Sequence, residues 1–269
     1  MTDHPLGKWR LIHSRAADGA TNMAIDEAIL RAVARGEASP TLRFYTWAPP
    51  CLSLGRGQAV DDVDHQALQA VGYDLVRRPT GGRAILHIDE LTYSVIAPED
   101  EPRVSGGVVE SYRRLSAGLV RGLERLGVVD IVADERSENR DAEGPVCFEM
   151  PSDYEITVGR RKLVGSAQMR AQGVVLQHGA MPLHGDIARI CPLLAAHPDL
   201  TRVRARAVAV DEVLGRPVSW DEAAGALAAG FAEALNLVLA PDALTAEELA
   251  EAQALRTEKY ATAQWTDLL

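Results

Sequence analysis

Along "ATNMAIDEAILRAVARG" the residues Met23, Ala24, Ala28, Ile29, Ala32 and Val33 recur at helical spacing. They form one apolar stripe, and Gly36 closes it, so the segment predicts a helix with one face in a core. "VVESYRRLSAGLVRGLERLG" repeats the pattern with Val109, Tyr112, Leu115, Leu119, Leu123 and Leu126, and is the clearest helix of the chain. Elsewhere the period falls to two. "GKWRLIHS", "TLRFYTW", "CLSLGRGQ", "YDLVRR" and "ELTYSVIA" read as strands, with "HQALQAVG" as a short helix between the third and fourth.

The polar run from Asp130 to Gly144 reads as a mobile loop. After it, "DYEITVGRRKLVGSAQMRAQGVVLQHGAMPL" predicts three strands in a meander, turning at Gly159 and Gly173. The last third is mostly helical: "DIARICPLLAA", "SWDEAAGALAAGFAEAL" and "TAEELAEAQALRTEKY". Runs of antiparallel strands with grouped helices indicate α+β: a mixed, largely antiparallel central sheet flanked by helices. No boundary divides residues 1–269, which read as a single catalytic-type domain. The helical stretch 241–269 is a candidate appendage.

Composition narrows the function classes. The 269 residues carry 28 basic and 38 acidic side chains, a net charge of −10 that argues against nucleic acid as a partner. No stretch is apolar enough to cross a bilayer, and "MTDHPLGKWRLIHS" lacks a signal-peptide core, so no membrane partner and a cytoplasmic setting are expected. The three cysteines, Cys51, Cys147 and Cys191, make neither a disulfide framework nor a metal-type pair. No HExxH or recurrent His/Asp/Glu spacing is present, and no metal is expected. Met23, Met169 and Met181 read as core filler.

Lysine is the anomaly. This arginine-rich chain uses it only at Lys8, Lys162 and Lys259, and Lys162 directly follows Arg160 and Arg161. A lysine near a cysteine favours the thiolate as a compact point charge, and unlike arginine it exchanges protons. Lys162 and Cys147 suit such a pair. They equally suit a hairpin surface residue and a buried small hydrophobe, and spacing alone does not decide between the two. "RRPTGGRAILH" is the second feature: Pro79, Gly81 and Gly82 make a turn whose backbone can approach a ligand. It is neither a Walker loop nor GxGxxG, and an ordinary glycine hairpin reads the same way. His87 in that segment and His178 in "LQHGAMPL" are ambiguous on their own.

Taken together, "NMAIDEAIL", "SLGRGQAVDDVD", "VRRPTGGRAILHIDELTYSVI", "CFEMPSDYEITVGRRKLVGSAQMR", "LQHGAMPL" and "EKYATAQW" resemble, in order, the biotin/lipoate protein ligase and transferase superfamily. Within it the chain most resembles octanoyltransferases of the LipM type. The resemblance implies the ligase-like α+β catalytic domain and transfer of octanoyl from acyl carrier protein to a lysine of a lipoyl-domain protein, such as glycine cleavage H protein. It implies that Cys147, in the "CF" pair before "PSDYE", carries the acyl group as a thioester, and that Lys162 activates it. Substrate binding then falls to Arg77, Arg78, Gly81, Gly82, Arg83 and His87 together with Gly165, Ser166, Ala167 and His178. The partners implied are acyl carrier protein and the lipoyl-domain acceptor, and no cofactor is needed.

Three alternatives stay open. An ATP-dependent lipoate–protein ligase would share the glycine turn and the lysine, need ATP and Mg, and need no cysteine. An amidotransferase would move octanoyl between two lipoyl-carrier proteins. A non-catalytic carrier-binding protein would hold the acyl group without turnover.

Overall fold

The structure is a computed structural model describing residues 4–134 and 155–269. The chain opens with strand β1 (Gly7–His13) and helix α1 (Gly19–Ala34), then β2 (Thr41–Tyr45) and β3 (Cys51–Leu54). Helix α2 (His65–Ala70) leads to β4 (Asp74–Arg77), β5 (Ile85–His87) and β6 (Glu90–Pro98). The long helix α3 (Val108–Leu126) follows, then β7 (Ile131–Asp134), β8 (Glu155–Val158), β9 (Arg161–Ala171) and β10 (Val174–Pro182). Helices α4 (Leu200–Arg206), α5 (Val210–Leu214) and α6 (Trp220–Leu235) precede β11 (Leu237–Asp242), and α7 (Ala246–Leu255) and α8 (Ala263–Thr266) finish the chain.

Eight strands form one sheet in the order β11-β1-β2-β6-β10-β9-β8-β7, and β4-β3-β5 form a small second sheet. β1 pairs parallel with both β11 and β2; from β2 to β7 every pairing is antiparallel. The large sheet is covered on both faces, so β2 and β10 are buried along their whole length. Leu42 and Phe44 of β2, with Tyr93 and Val95 of β6, face a core built on Leu115, Leu119 and Leu123 of α3 and Leu227 and Phe231 of α6. Each such fully buried apolar side chain contributes about 1.5–3 kcal/mol. The alternate residues Tyr45, Ile96 and Leu176 face Met23, Ala28 and Ile29 of α1. A third cluster, including Leu52, Leu54, Ile85, Ala180 and Ala207, joins the small sheet to that same α1 side.

Local signals account for the helix ends. The Asp18 carboxylate accepts from the Thr21 N–H at 2.7 Å and starts α1; Gly127, at φ 97°, closes α3 in the left-handed region. The meander turns where expected, at Gly159 and Gly173. Three expectations need correction. The stretch Asp130–Gly144 is not a loop throughout: Ile131–Asp134 pairs with β8, and residues 135–144 lie outside the described residues. "DIARICPLLAA" forms a tighter 3-10 segment, Ile187–Leu193, with Pro192 inside it, where the missing N–H and fixed φ disfavour an α-helix. The final helical stretch is preceded by a strand, β11, which extends the sheet beyond β1. No helix among the described residues is long and apolar enough to cross a membrane.

Candidate active site

Between the α1 face of the large sheet and the small sheet lies a small cavity, partly open to solvent. Met23, Tyr45, Trp47, Ile85, Ala167 and Ala180 give it apolar walls. The polar lining comes from Ser53, Arg78, His87, Thr92, Ser166 and His178. Apolar walls beside fixed polar groups can hold an acyl chain with its polar end oriented.

Two buried networks set those polar groups. The first is centred on Asp26, the one acid on the inner stripe of α1. Its Oδ1 accepts from Arg43 Nη1 at 2.6 Å and from Ser94 Oγ at 2.9 Å, and its Oδ2 accepts from Tyr45 Oη at 3.0 Å. His178 Nδ1 lies 3.5 Å from Oδ2, and its Nε2 is 2.6 Å from Thr80 Oγ1. Burial alone would raise the Asp26 carboxyl, but the Arg43 charge, with His178, outweighs it and leaves the carboxyl below its usual range. Burial lowers the His178 imidazole against the pull of Asp26, which keeps it neutral. Nδ1–H then faces the carboxylate while Nε2 accepts the Thr80 hydroxyl proton, so a helix carboxylate fixes the threonine of the glycine turn.

The second network runs through the small sheet. Ser53 Oγ is 2.7 Å from His87 Nε2, and His87 Nδ1 is 2.7 Å from Glu90 Oε1. Trp47 stacks on the His87 ring at 3.9 Å and donates from Nε1 to Thr92 Oγ1, which in turn donates to Glu90. Arg78 Nη1 donates to Ser53 Oγ at 3.1 Å. The Ser53 hydroxyl thus joins Arg78 to His87 within the wall, an arrangement that orients His87 at the cavity.

The expected substrate-binding residues divide accordingly. Arg78, His87, Gly165, Ser166, Ala167 and His178 line the cavity together. Arg78 also donates to the carbonyls of Gly81 and Arg83 and so fastens the glycine turn. Gly81, Gly82 and Arg83 shape that turn without entering the wall. Arg77 points elsewhere: its guanidinium binds the carbonyls of Gly55, Gln58 and Thr266, tying the turn region to the C-terminal segment. Trp265 Nε1 returns a bond to the Arg77 carbonyl at 2.8 Å. Met23 is in the core, as expected, and also borders the cavity. Sequence patterns gave no sign of Asp26, Ser53, Glu90 or Thr92, which are ordinary residues in ordinary elements.

Lys162 sits on β9, 3% exposed, with its Nζ 3.1 Å from Oε1 of Glu155, itself 3% exposed. Cys147, its expected companion, lies outside the described residues. The other two cysteines are buried. Burial pushes the Cys51 thiol well above its ordinary value, and the carboxylates of Asp74, Asp18 and Glu90 add to the effect, so Cys51 stays protonated and inert. Among the described residues no group of three His, Cys, Asp or Glu side chains is placed to hold a metal ion.

Relatives share both the sequence and the fold. An octanoyltransferase LipM from Symbiobacterium thermophilum is 47% identical over 96% of this chain and 97% of its own. An octanoyltransferase LipM from Kyrpidia tusciae is 48% identical over the same shares. Among solved structures, a bipartite lipoate protein ligase from Thermoplasma acidophilum, described together with its E2 lipoyl domain, superposes with a TM-score of 0.80 at 28% identity, covering 98% of each chain. Residues 18–232, which contain the cavity, both buried networks and Lys162, match the lipoyl protein ligase A/B catalytic domain. On sequence and fold, the chain belongs to the lipoyl protein ligase A/B catalytic domain family.

Proposed function

We propose that the protein is an acyltransferase of lipoate biosynthesis, which moves an octanoyl group from octanoyl-acyl carrier protein to a lysine of a lipoyl-domain protein. The observation that carries this is the near-full-length likeness to proteins named octanoyltransferase LipM. The apolar cavity supports it, since each buried CH₂ of an acyl tail contributes about 0.8 kcal/mol. The reaction belongs to the cytoplasm and uses no cofactor.

Cys147 is the nucleophile in this reading, and Lys162 stabilises its thiolate. The sulfur attacks the donor's thioester carbonyl; a new C–S bond forms, the old one breaks, and the pantetheine thiolate leaves and takes up a proton. The acceptor amine then attacks the enzyme thioester, loses its proton and expels the Cys147 thiolate, leaving an amide. Arg78, His178 and the fastened glycine turn hold the acyl group in line. Two buried cysteines and a third in the family's "CF" position favour Cys147.

The likeness to a lipoate protein ligase favours a second reading, ATP-dependent ligation of a free acid. One comparison separates the two. A lipoyl domain is incubated either with octanoyl-acyl carrier protein alone or with octanoate, ATP and Mg. Modification in the first mixture only supports the transferase; modification in the second only makes the protein a ligase.

A further inference from the structure

Strict alternation along β9 would put Lys162 on the wrong face. Val164 packs into the α3–α6 core. Counting back by two from Val164 lands Lys162 in that apolar layer. The pairing with β8 breaks the count: Ile156 faces Val164, but Thr157 faces Lys162, so the register shifts by one residue between them. Leu163 is the extra residue, and it joins Val164 in the α3–α6 core. The bulge thus turns Lys162 to the opposite face, where Gly165 and Ala167 line the cavity. Glu155 stands one pleat from Thr157 on that face, and its carboxylate meets the turned ammonium at 3.1 Å.

A buried ammonium and a buried carboxylate are each costly unless paired. A longer aliphatic or an uncharged polar pair would fill this space without that penalty. We infer that Glu155 is a positioning residue, whose carboxylate, together with the Leu163 bulge, fixes the Lys162 ammonium on the cavity side of the sheet. This rests on the reading of Lys162 as the group that activates Cys147. An ammonium has three donors in fixed tetrahedral relation, so committing one to Glu155 sets the direction of the other two.

The sign of a pH shift tests this. A carboxylate that acted only as a nearby negative charge would disfavour the Cys147 thiolate, and its removal would lower the thiol's alkylation midpoint. A carboxylate that holds the ammonium in place does the reverse. In Glu155→Gln, the pH midpoint of Cys147 alkylation by iodoacetamide rises, and single-turnover acylation by octanoyl-acyl carrier protein slows at least about tenfold. Glu155→Asp withdraws the carboxylate by about 1.5 Å but keeps its charge; it melts as the wild type does and slows acylation several-fold. Adding Glu155→Gln to Lys162→Ala changes the rate no further. A midpoint that falls or stays put, or effects that multiply in the double variant, overturns the proposal. Should Glu155→Gln fail to fold, wild-type acylation in Glu155→Asp overturns it as well. Lys162→Ala alone separates the two claims. Wild-type acylation in that variant removes Lys162 from the chemistry, and Glu155 with it; a slow Lys162→Ala beside a normal Glu155→Gln removes Glu155 only.

Discussion

Gly55 shows how closely the site is built at the scale of single residues. A methyl added there would stand 1.9 Å from the Gly82 carbonyl oxygen, so the end of β3 touches the glycine turn directly. In Gly55→Ala the turn has to move, and the Arg78 bonds to the Gly81 and Arg83 carbonyls move with it. A displacement of that order costs about a hundredfold in rate when it misplaces a bound group. Steady-state octanoyl transfer checks this, with a melting curve to show that the variant folds. Single residues were also where the sequence was most uneven as a guide. Lys162 stood out because lysine is rare in the chain. Its partner Glu155 did not, because "DYEITV" reads as any half-exposed strand. Asp26 was equally hidden: a carboxylate on an amphipathic helix normally points to water, and only the fold shows, through buried partners such as Arg43 on the next strand, that this one points inward.

At the scale of elements, α3 and α6 pack through glycines. A methyl on Gly230 would meet the Gly122 backbone nitrogen at 2.2 Å and the Gly118 carbonyl at 2.6 Å, so Gly230→Ala forces the helices apart. Overpacking of this kind costs about 1–3 kcal/mol. The urea midpoint falls accordingly, while transfer at low temperature is retained, because the α3–α6 layer lies across the sheet from the cavity. The strong helices and the β8–β9–β10 meander were legible because their signals are local: periodicity, a glycine turn, a cap. β11 and β7 were not. β11 pairs with β1 at the far end of the chain, and β7 hides in a charged stretch whose partner follows twenty residues later. The bulge at Leu163 was invisible for a related reason, since a bulge shows only in the register against a neighbouring strand.

Over the whole molecule, the buried Asp26–His178 network couples stability to pH. The folded imidazole titrates below its ordinary 6.5, whereas the unfolded chain binds a proton near that value. The unfolded state therefore binds more protons as pH drops below about 6.5, and stability falls. Asp26 works in the same direction at lower pH. Its folded carboxyl lies below the ordinary 3.8, so its contribution is present above that pH and is lost as pH falls through the folded value. Melting temperatures from pH 7.5 to 5 should decline in the wild type and decline less steeply in His178→Gln; parallel curves would exclude His178 as the cause. The fold class was readable from the run of strands and grouped helices, but the cavity was not. It arises where a small second sheet closes over α1, and no stretch of sequence encodes that junction by itself.

The proposed chemistry turns on Cys147. The intact mass of the protein after incubation with octanoyl-acyl carrier protein, without ATP, tests it directly beside a Cys147→Ala control. One octanoyl group on the wild type, absent from the control, released by neutral hydroxylamine and passed to an added lipoyl domain, is the expected result. Transfer to the lipoyl domain by the Cys147→Ala protein at the wild-type rate, with no adduct on either form, would contradict it.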